Sequence, residues 1–314
     1  MRYQNYTFKV PEEKVVRLLT DTDVKNEADD HFAVVQALLS PKIENVGLIA
    51  AHYGIKEDID SMQKSYDEIE VILEKMDFRG RVPIYHGAKQ PLSDVHTPVD
   101  SEGARAIIEE AQKEDERPLY VIFLGPLTDL ASAYLLEPSI ARRLTAIWIG
   151  GGKYPEGGDE YNLRNDIHAA NVVLGSDIDL WQVPKNVYEM MAVSIAELEY
   201  RVGCHGELGE FLCSQLNEHA LTPKAVNSAF RSGESWVLGD SPAVGLILYE
   251  DRFSFDWVQA PQITEDMRYL HDTSNRSIRV YRKIDSRMIL EDMYAKIALF
   301  EARRKCVSHM GEQA

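Results

Sequence analysis

The chain is poor in cysteine, in basic residues and in long apolar runs, and each shortage removes a class of function. Only three cysteines occur in 314 residues, Cys204, Cys213 and Cys306, and none belongs to a CxxC pair. That count argues against a disulfide framework and a cysteine-based zinc site. Reduced thiols acting as small packing residues in a cytoplasmic protein are expected instead. Lys and Arg number 34 against 51 Asp and Glu, a formal net charge of −17. Such a field repels polyanions, so no nucleic-acid partner is expected. The opening MRYQNYTFKVPEEK is polar and lacks the apolar stretch of a signal peptide. The best apolar runs, such as PAVGLILY, fall far short of a bilayer span, so no membrane partner is expected either. Internal repeats, low-complexity tracts and Pro/Ser-rich linkers are all missing. Residues 90–100 have turn-like composition but are too few to separate domains. With 45% hydrophobic residues the chain can bury a substantial core, and one domain over residues 1–314 is expected.

What is present is an alternation of short apolar runs with amphipathic ones. VVRLLT reads as a strand, DTDVKNEADD as a polar loop and HFAVVQALL as a helix. IENVGLIAA, VPIYHG, LYVIFLG, LTAIWIGGG and DLWQVP read as further strands. DIDSMQKSYDEIEVILEKM, SEGARAIIEEAQ and PLTDLASAYLLE read as helices. This order predicts an α/β fold, a mostly parallel central sheet with helices on both faces. Residues 186–250 are helix-rich. FSFDWVQA and RSIRVYRKI alternate residue by residue, which predicts short antiparallel strands near the C-terminus, and a helix over 291–304 closes the chain. In open α/β sheets, sites form on the loops beyond the carboxyl ends of the strands. Here those loops are DTDVKNEADD, AAHYG, HGAKQPLSDVHT, LGPLTD and GGGKYPEGGDEYN.

The first of these loops stands out. Asp21, Asp23, Glu27, Asp29 and Asp30 fall within ten residues. Like charges at that density repel unless a cation or solvent screens them. An all-carboxylate set with no nearby His or Cys suits a hard, oxygen-seeking ion and not zinc. The EF-hand pattern does not fit, because its central glycine and terminal glutamate are missing. A solvated acidic loop capping a helix, with Asp29 or Asp30 near the positive end of its dipole, accounts for the spacing equally well.

Four blocks decide between these readings. RLLTDTDVKNEADDHFAVVQALLSP resembles the N-terminal signature of the inosine-uridine-preferring nucleoside hydrolase family, whose usual form is DTDPGxDDAxA; this chain has two extra residues and no Pro-Gly. LGPLTDLASAYLLEP resembles the family's GPLTNLA block. AIWIGGGKYPEGGDEYNLRNDIHAA resembles its MGG…EFNxxxDPEAA block, and VLGDSPAV its HDPxAV block. Together they span residues 17–244 in the family's order. The resemblance implies hydrolysis of the N-glycosidic bond of a ribonucleoside, with a calcium ion as cofactor and a small nucleoside as the partner. It further implies Asp23, Asp30, Asp240 and the carbonyl of Leu124 as metal ligands, with Asp23 also the general base toward water. Asp29 would accept from the ribose 2′-hydroxyl, Asp240 and Asn162 would bind the same sugar, and Glu160 would reach the 5′-hydroxyl. Oxocarbenium-like charge on the sugar makes carboxylates and amide oxygens suitable neighbours. A homodimer or homotetramer is expected.

Each of these residues has a plainer use. Asp166 can cap a helix, Asp21 can order its loop, and Glu160 and Asn162 can end one. Gly150, Gly151 and Gly152 before Lys153 lack the P-loop spacing and read as room for close substrate approach. His168 reads as structural. The sequence also departs from the family. Gly239 stands where the family often has a histidine associated with protonating the departing base, and Gly54 where it has an asparagine. Ribose chemistry is thus expected with altered base recognition, by contacts drawn from His52, Tyr53, His86, His96, Tyr161, Arg231 and Trp236. One of His52, His86, His96 or Tyr161 would supply the proton. A hydrolase of a modified or activated riboside, and a nucleoside-binding protein without catalysis, are the alternatives.

Overall fold

The computed structural model describes residues 1–227, 233–271 and 274–311. The first part alternates strands and helices: β1 (Val16–Thr22), α1 (Asp29–Leu38), β2 (Ile43–Ala50), α2 (Ser61–Lys75), β3 (Ile84–His86), α3 (Glu102–Gln112), β4 (Leu119–Phe123), α4 (Thr128–Leu136), β5 (Thr145–Ile149), α5 (Tyr161–Asn165), α6 (Ile167–Gly175) and β6 (Asp179–Val183). An excursion of short elements follows, with α7 (Lys185–Tyr188), β7 (Ala192–Ser194), α8 (Ile195–Leu198), α9 (Gly206–Ala220), α10 (Pro223–Asn227), β8 (Ser235–Val237) and α11 (Ser241–Leu248). The chain returns as β9 (Ser254–Gln259), β10 (Gln262–Ile263), β11 (Tyr269–Leu270) and β12 (Ser277–Lys283), and ends in α12 (Ser286–Gly311).

Eight strands form one sheet in the order β3-β2-β1-β4-β5-β6-β12-β9. All neighbours pair in parallel except β12 and β9, the antiparallel pair expected from alternation. Strand β1 shows why the sheet is central: every residue of it is buried. Leu18 packs into one apolar cluster with residues of α1, α2, α9, α11 and α12, while Leu19 packs into another with residues of α3, α4 and α6. Period-two side-chain alternation sends those neighbours to opposite faces, so helices cover both. No helix among the described residues is long and apolar enough to cross a membrane.

Several elements differ from the sequence reading. β1 continues through Asp21 and Thr22, which pair with Ile49 and Ala50 of β2. Polar side chains can end a buried strand here because each meets a buried partner, described below. The last helix starts at Ser286, before the expected 291. The two-stranded ladders β7–β8 and β10–β11 carry too few residues to show a period. Cys204 is exposed and Cys213 partly buried, both as free thiols, so Cys204 is not the packing residue expected. The side chain of Cys306 and all of Arg231 lie outside the described residues.

The connections from β1 to β2 and from β4 to β5 run to opposite sides of the sheet, so strand order reverses between β1 and β4. A crevice opens beyond the carboxyl ends of strands at such a point.

Candidate active site

A cavity of about 1020 Å³ occupies that crevice. Its wall is drawn from the loop after β1 and the start of α1 (Asp23, Asn26, Glu27, Asp29, Asp30), the end of β4 (Leu124), the loop after β5 and the start of α5 (Glu160, Tyr161, Asn162), α7 (Lys185, Tyr188), and Lys224, Gly239 and Asp240 of the excursion. Residues more than 200 positions apart therefore share one site.

The floor is acidic. One oxygen each from Asp29, Asp30 and Asp240 lie within 4.8 Å of one another. Asp23 stands beside this triad without being part of it, and its Oδ2 is buried with no hydrogen-bond partner. Asp23 approaches so closely that a Cβ on Gly125 would sit 3.0 Å from its Cγ, which explains the glycine after Leu124. The Thr22 hydroxyl donates to Asp30 Oδ1 at 2.5 Å, and the Gly239 N–H donates to Asp29 Oδ2 at 3.0 Å. Burial, then repulsion from Asp30, Asp29 and Glu27, pushes Asp23 well above the carboxylate range. Burial and Asp30 push Asp29 up to about 7. Burial likewise raises Asp30 to about 6, against the hydrogen bonds that favour its charge. Asp240 is raised by burial and by Asp29, Asp30 and Asp23. Each group resists ionisation because it is buried among other acids, and for Asp23 the Lys224 charge offsets this only in part. A hard cation bound by these oxygens would reverse that, and a donor set of carboxylates with no His or Cys fits calcium or magnesium.

Beneath the floor, Asp21 meets Asp129 of α4 carboxyl to carboxyl. Asp129 also accepts from the Ser101 hydroxyl at 2.5 Å and from the Ala88 N–H at 3.0 Å. Burial raises both acids, Asp129 to about 6. Asp21 stays out of the cavity wall, and its carboxylate makes no hydrogen bond to the loop above it.

Glu160 N-caps α5: its carboxylate accepts from the N–H groups of Asn162, Leu163 and Gly151, and from the Tyr188 hydroxyl. Asn162 donates both amide hydrogens, to the carbonyls of Leu124 (2.7 Å) and Ile149 (2.8 Å), which leaves Oδ1 as its acceptor. Asp166 caps α6 through the Ala169 N–H. Gly150, Gly151 and Gly152 are not substrate clearance. A Cβ on them would meet Trp148, Gln182 and the backbone at Gly157–Gly158, so they fit the protein to itself.

Of the residues proposed for the base, only Tyr161 lines the cavity among the described residues. His52 is fully buried, bonded to the Thr128 hydroxyl at 2.9 Å, and burial drives its pKa down to about 4. His86 stacks on Tyr66 at 4.1 Å and bonds Glu102. His96 is exposed on the residue 90–100 segment, Trp236 is a core residue edge-on to His219 at 5.6 Å, and Tyr53 offers only its carbonyl, to Tyr161. His168 is exposed on α6. Their loops reach the right end of the sheet, but packing turns the side chains away. Sequence reasoning missed Tyr188, Glu57 and Lys224. Lys224 donates to Asn26 Oδ1 (2.8 Å), Glu57 (3.0 Å) and the Tyr161 hydroxyl (3.1 Å), with its ammonium 4.2 Å from the Tyr161 ring centre. No local pattern marks these residues, because each comes from a different segment of the chain.

Residues 18–293 match the profile of a family described as inosine-uridine preferring nucleoside hydrolase. Uridine nucleosidase 1 of Arabidopsis thaliana is 27% identical over 227 residues, 63% of this chain and 65% of that protein. Probable uridine nucleosidase 2 of Arabidopsis thaliana is 25% identical over 232 residues, 64% of this chain and 69% of that protein. The alignments thus span about two thirds of these relatives' length. Among solved structures, a purine-preferring ribonucleoside hydrolase from Gardnerella vaginalis superposes with a TM-score of 0.77 at 17% identity, over 91% of this chain and 99% of that one. At that identity the likeness establishes the fold.

Proposed function

The chain belongs to the inosine-uridine preferring nucleoside hydrolase family, and from that premise we propose that it cleaves the N-glycosidic bond of a ribonucleoside to free base and ribose. The observation that carries this is the convergence of Asp29, Asp30 and Asp240 beside buried Asp23 on the cavity floor. Asp23, Asp30, Asp240 and the Leu124 carbonyl would hold calcium. When bound, the ion lowers the pKa of the attacking water and grips sugar hydroxyls. Asp23 accepts the proton of that water as its oxygen bonds C1′. Asp29 has Oδ2 engaged by Gly239 and uses its other oxygen for the ribose 2′-hydroxyl. Asn162 presents Oδ1 to the sugar, and Glu160 with Tyr188 forms the wall facing the 5′-hydroxyl. Carboxylates on one side of the ring favour the positive charge it gains as the bond breaks. One domain, residues 1–314, carries the whole site.

A panel of ribonucleosides tests this by reducing-sugar release, with calcium and then with chelator. Release that requires the metal is expected. A calcium-loaded protein that binds nucleosides yet releases no sugar would make it a binding protein. Gly239 favours a second possibility for the substrate, a riboside of a modified or activated base, and the panel should include one.

A further inference from the structure

The reaction proposed above leaves a proton unaccounted for at the departing base. Position 239 cannot supply it: Gly239 has no side chain, and a Cβ there would meet the Tyr188 ring at 3.2 Å and Asp29 Oδ2 at 3.3 Å. Tyr188 thus occupies the space where a side chain would begin. The imidazoles of His52, His86 and His96 do not line the cavity. Among the described residues, three cationic side chains do. Arg164 is spent on Asp159, to which it makes paired bonds at 2.5 Å. Lys185 donates to the Asp159 carbonyl at 3.2 Å, at the same end of the cavity. Lys224 differs from both. Its three partners come from the β1 loop, the β2 loop and α5, so its ammonium is cradled across the cavity, over the loop that carries Asp23. Asn26 is three residues from Asp23, and both Lys224 and Asp23 line the same cavity.

We propose that the Lys224 ammonium, positioned by Tyr161, Glu57 and Asn26, delivers the proton that the departing base takes up. This rests on the ribonucleoside-cleaving reading. The bond from C1′ to the base nitrogen breaks with its electron pair going to the base, and the base takes a Lys224 proton at a ring nitrogen or carbonyl oxygen. Water oxygen bonds C1′ and its proton passes to Asp23. Neutral Lys224 then takes a proton from solvent, and Asp23 releases its proton to solvent. An ammonium has three donors and no acceptor, so the base must bring the acceptor and displace one of the resting partners. That selects bases with an acceptor edge turned toward Lys224.

The test compares inosine, whose base leaves poorly without protonation, with p-nitrophenyl riboside, whose phenolate leaves unaided. Lys224→Met should slow inosine by roughly 10²-fold or more while changing the nitrophenyl riboside by only about threefold or less, the pattern of a lost general acid. Lys224→Arg keeps the charge but holds its proton, so it should show the same selective loss. Tyr161→Phe should show a smaller one. Melting temperature and calcium content establish folding, and the Arg and Phe variants carry the test if the Met variant does not fold. Equal slowing of both substrates, or an Arg variant with the unaltered rate on inosine, overturns the assignment of Lys224. Unaltered protein that cleaves neither riboside overturns the ribonucleoside reading and this assignment with it.

Discussion

Asp129→Asn is expected to stabilise the protein at alkaline pH and leave it nearly unchanged in mild acid. Asp129 lies wholly buried on α4 against Asp21, and burial lifts its pKa from 3.8 to about 6. A carboxyl whose folded pKa is raised favours folding while protonated. Its contribution is complete below 3.8 and is lost as pH climbs through about 6. The full loss is about 3 kcal/mol at about 1.36 kcal/mol per pKa unit. Asparagine never ionises. Its Oδ1 can take the bonds now given by the Ala88 N–H and the Ser101 hydroxyl, while its amide donates to Asp21. The gain should therefore grow by about 2–3 kcal/mol between pH 4 and pH 8, or on the order of 5 °C in melting temperature for a chain this long. Melting curves of both proteins, at saturating calcium and at several pH values, provide the measurement. A gain independent of pH, or an Asn variant less stable at pH 8, refutes the buried carboxyl pair.

Three further outcomes are expected. Asp23→Asn should keep the fold and cut turnover by at least roughly 10²-fold; metal-loaded variant protein with unaltered turnover would remove Asp23 as the base. Purified protein should carry about one calcium per chain, bound by oxygens at roughly 2.3–2.6 Å. Stoichiometric zinc by elemental analysis would contradict this. With Asp29 on the 2′-hydroxyl, kcat/KM for 2′-deoxyinosine should fall roughly 5- to 150-fold below that for inosine, the cost of about 1–3 kcal/mol for an unpaired buried acceptor. Equal values would place Asp29 elsewhere.

The parallel strands were legible because strands buried on both faces read as continuous apolar runs, as LYVIFLG does, and β9 and β12 because alternation marks a sheet with a wetter face. The acidic floor was legible from charge density, since Asp23, Asp29 and Asp30 share one loop. The direction of a side chain was not. His52 follows β2 as the sequence suggested, yet it turns to Thr128 because that hydroxyl is in reach and the cavity is not. Lys224 was invisible for another reason: its importance comes from three partners on three other segments. The end of β1 was misread at Asp21, since the hidden partner Asp129 lies more than 100 residues away.

Between the end of β6 at Val183 and the start of β9 at Ser254 the chain leaves the main sheet and comes back. Lys224, Gly239 and Asp240 all ride on this excursion, while Asp23, Leu124 and Asn162 sit at the ends of the parallel strands. Lengthening a flexible connection is thermodynamically mild, about 0.6 kcal/mol per doubling. The excursion as a whole can therefore change in length with the parallel ladder intact, provided Asp240 returns to its place. One wall of the cavity is thus fixed by the parallel strands, while Lys224, Gly239 and Asp240 arrive on a separate span of chain, so the sheet can keep its wall unchanged while the facing one varies.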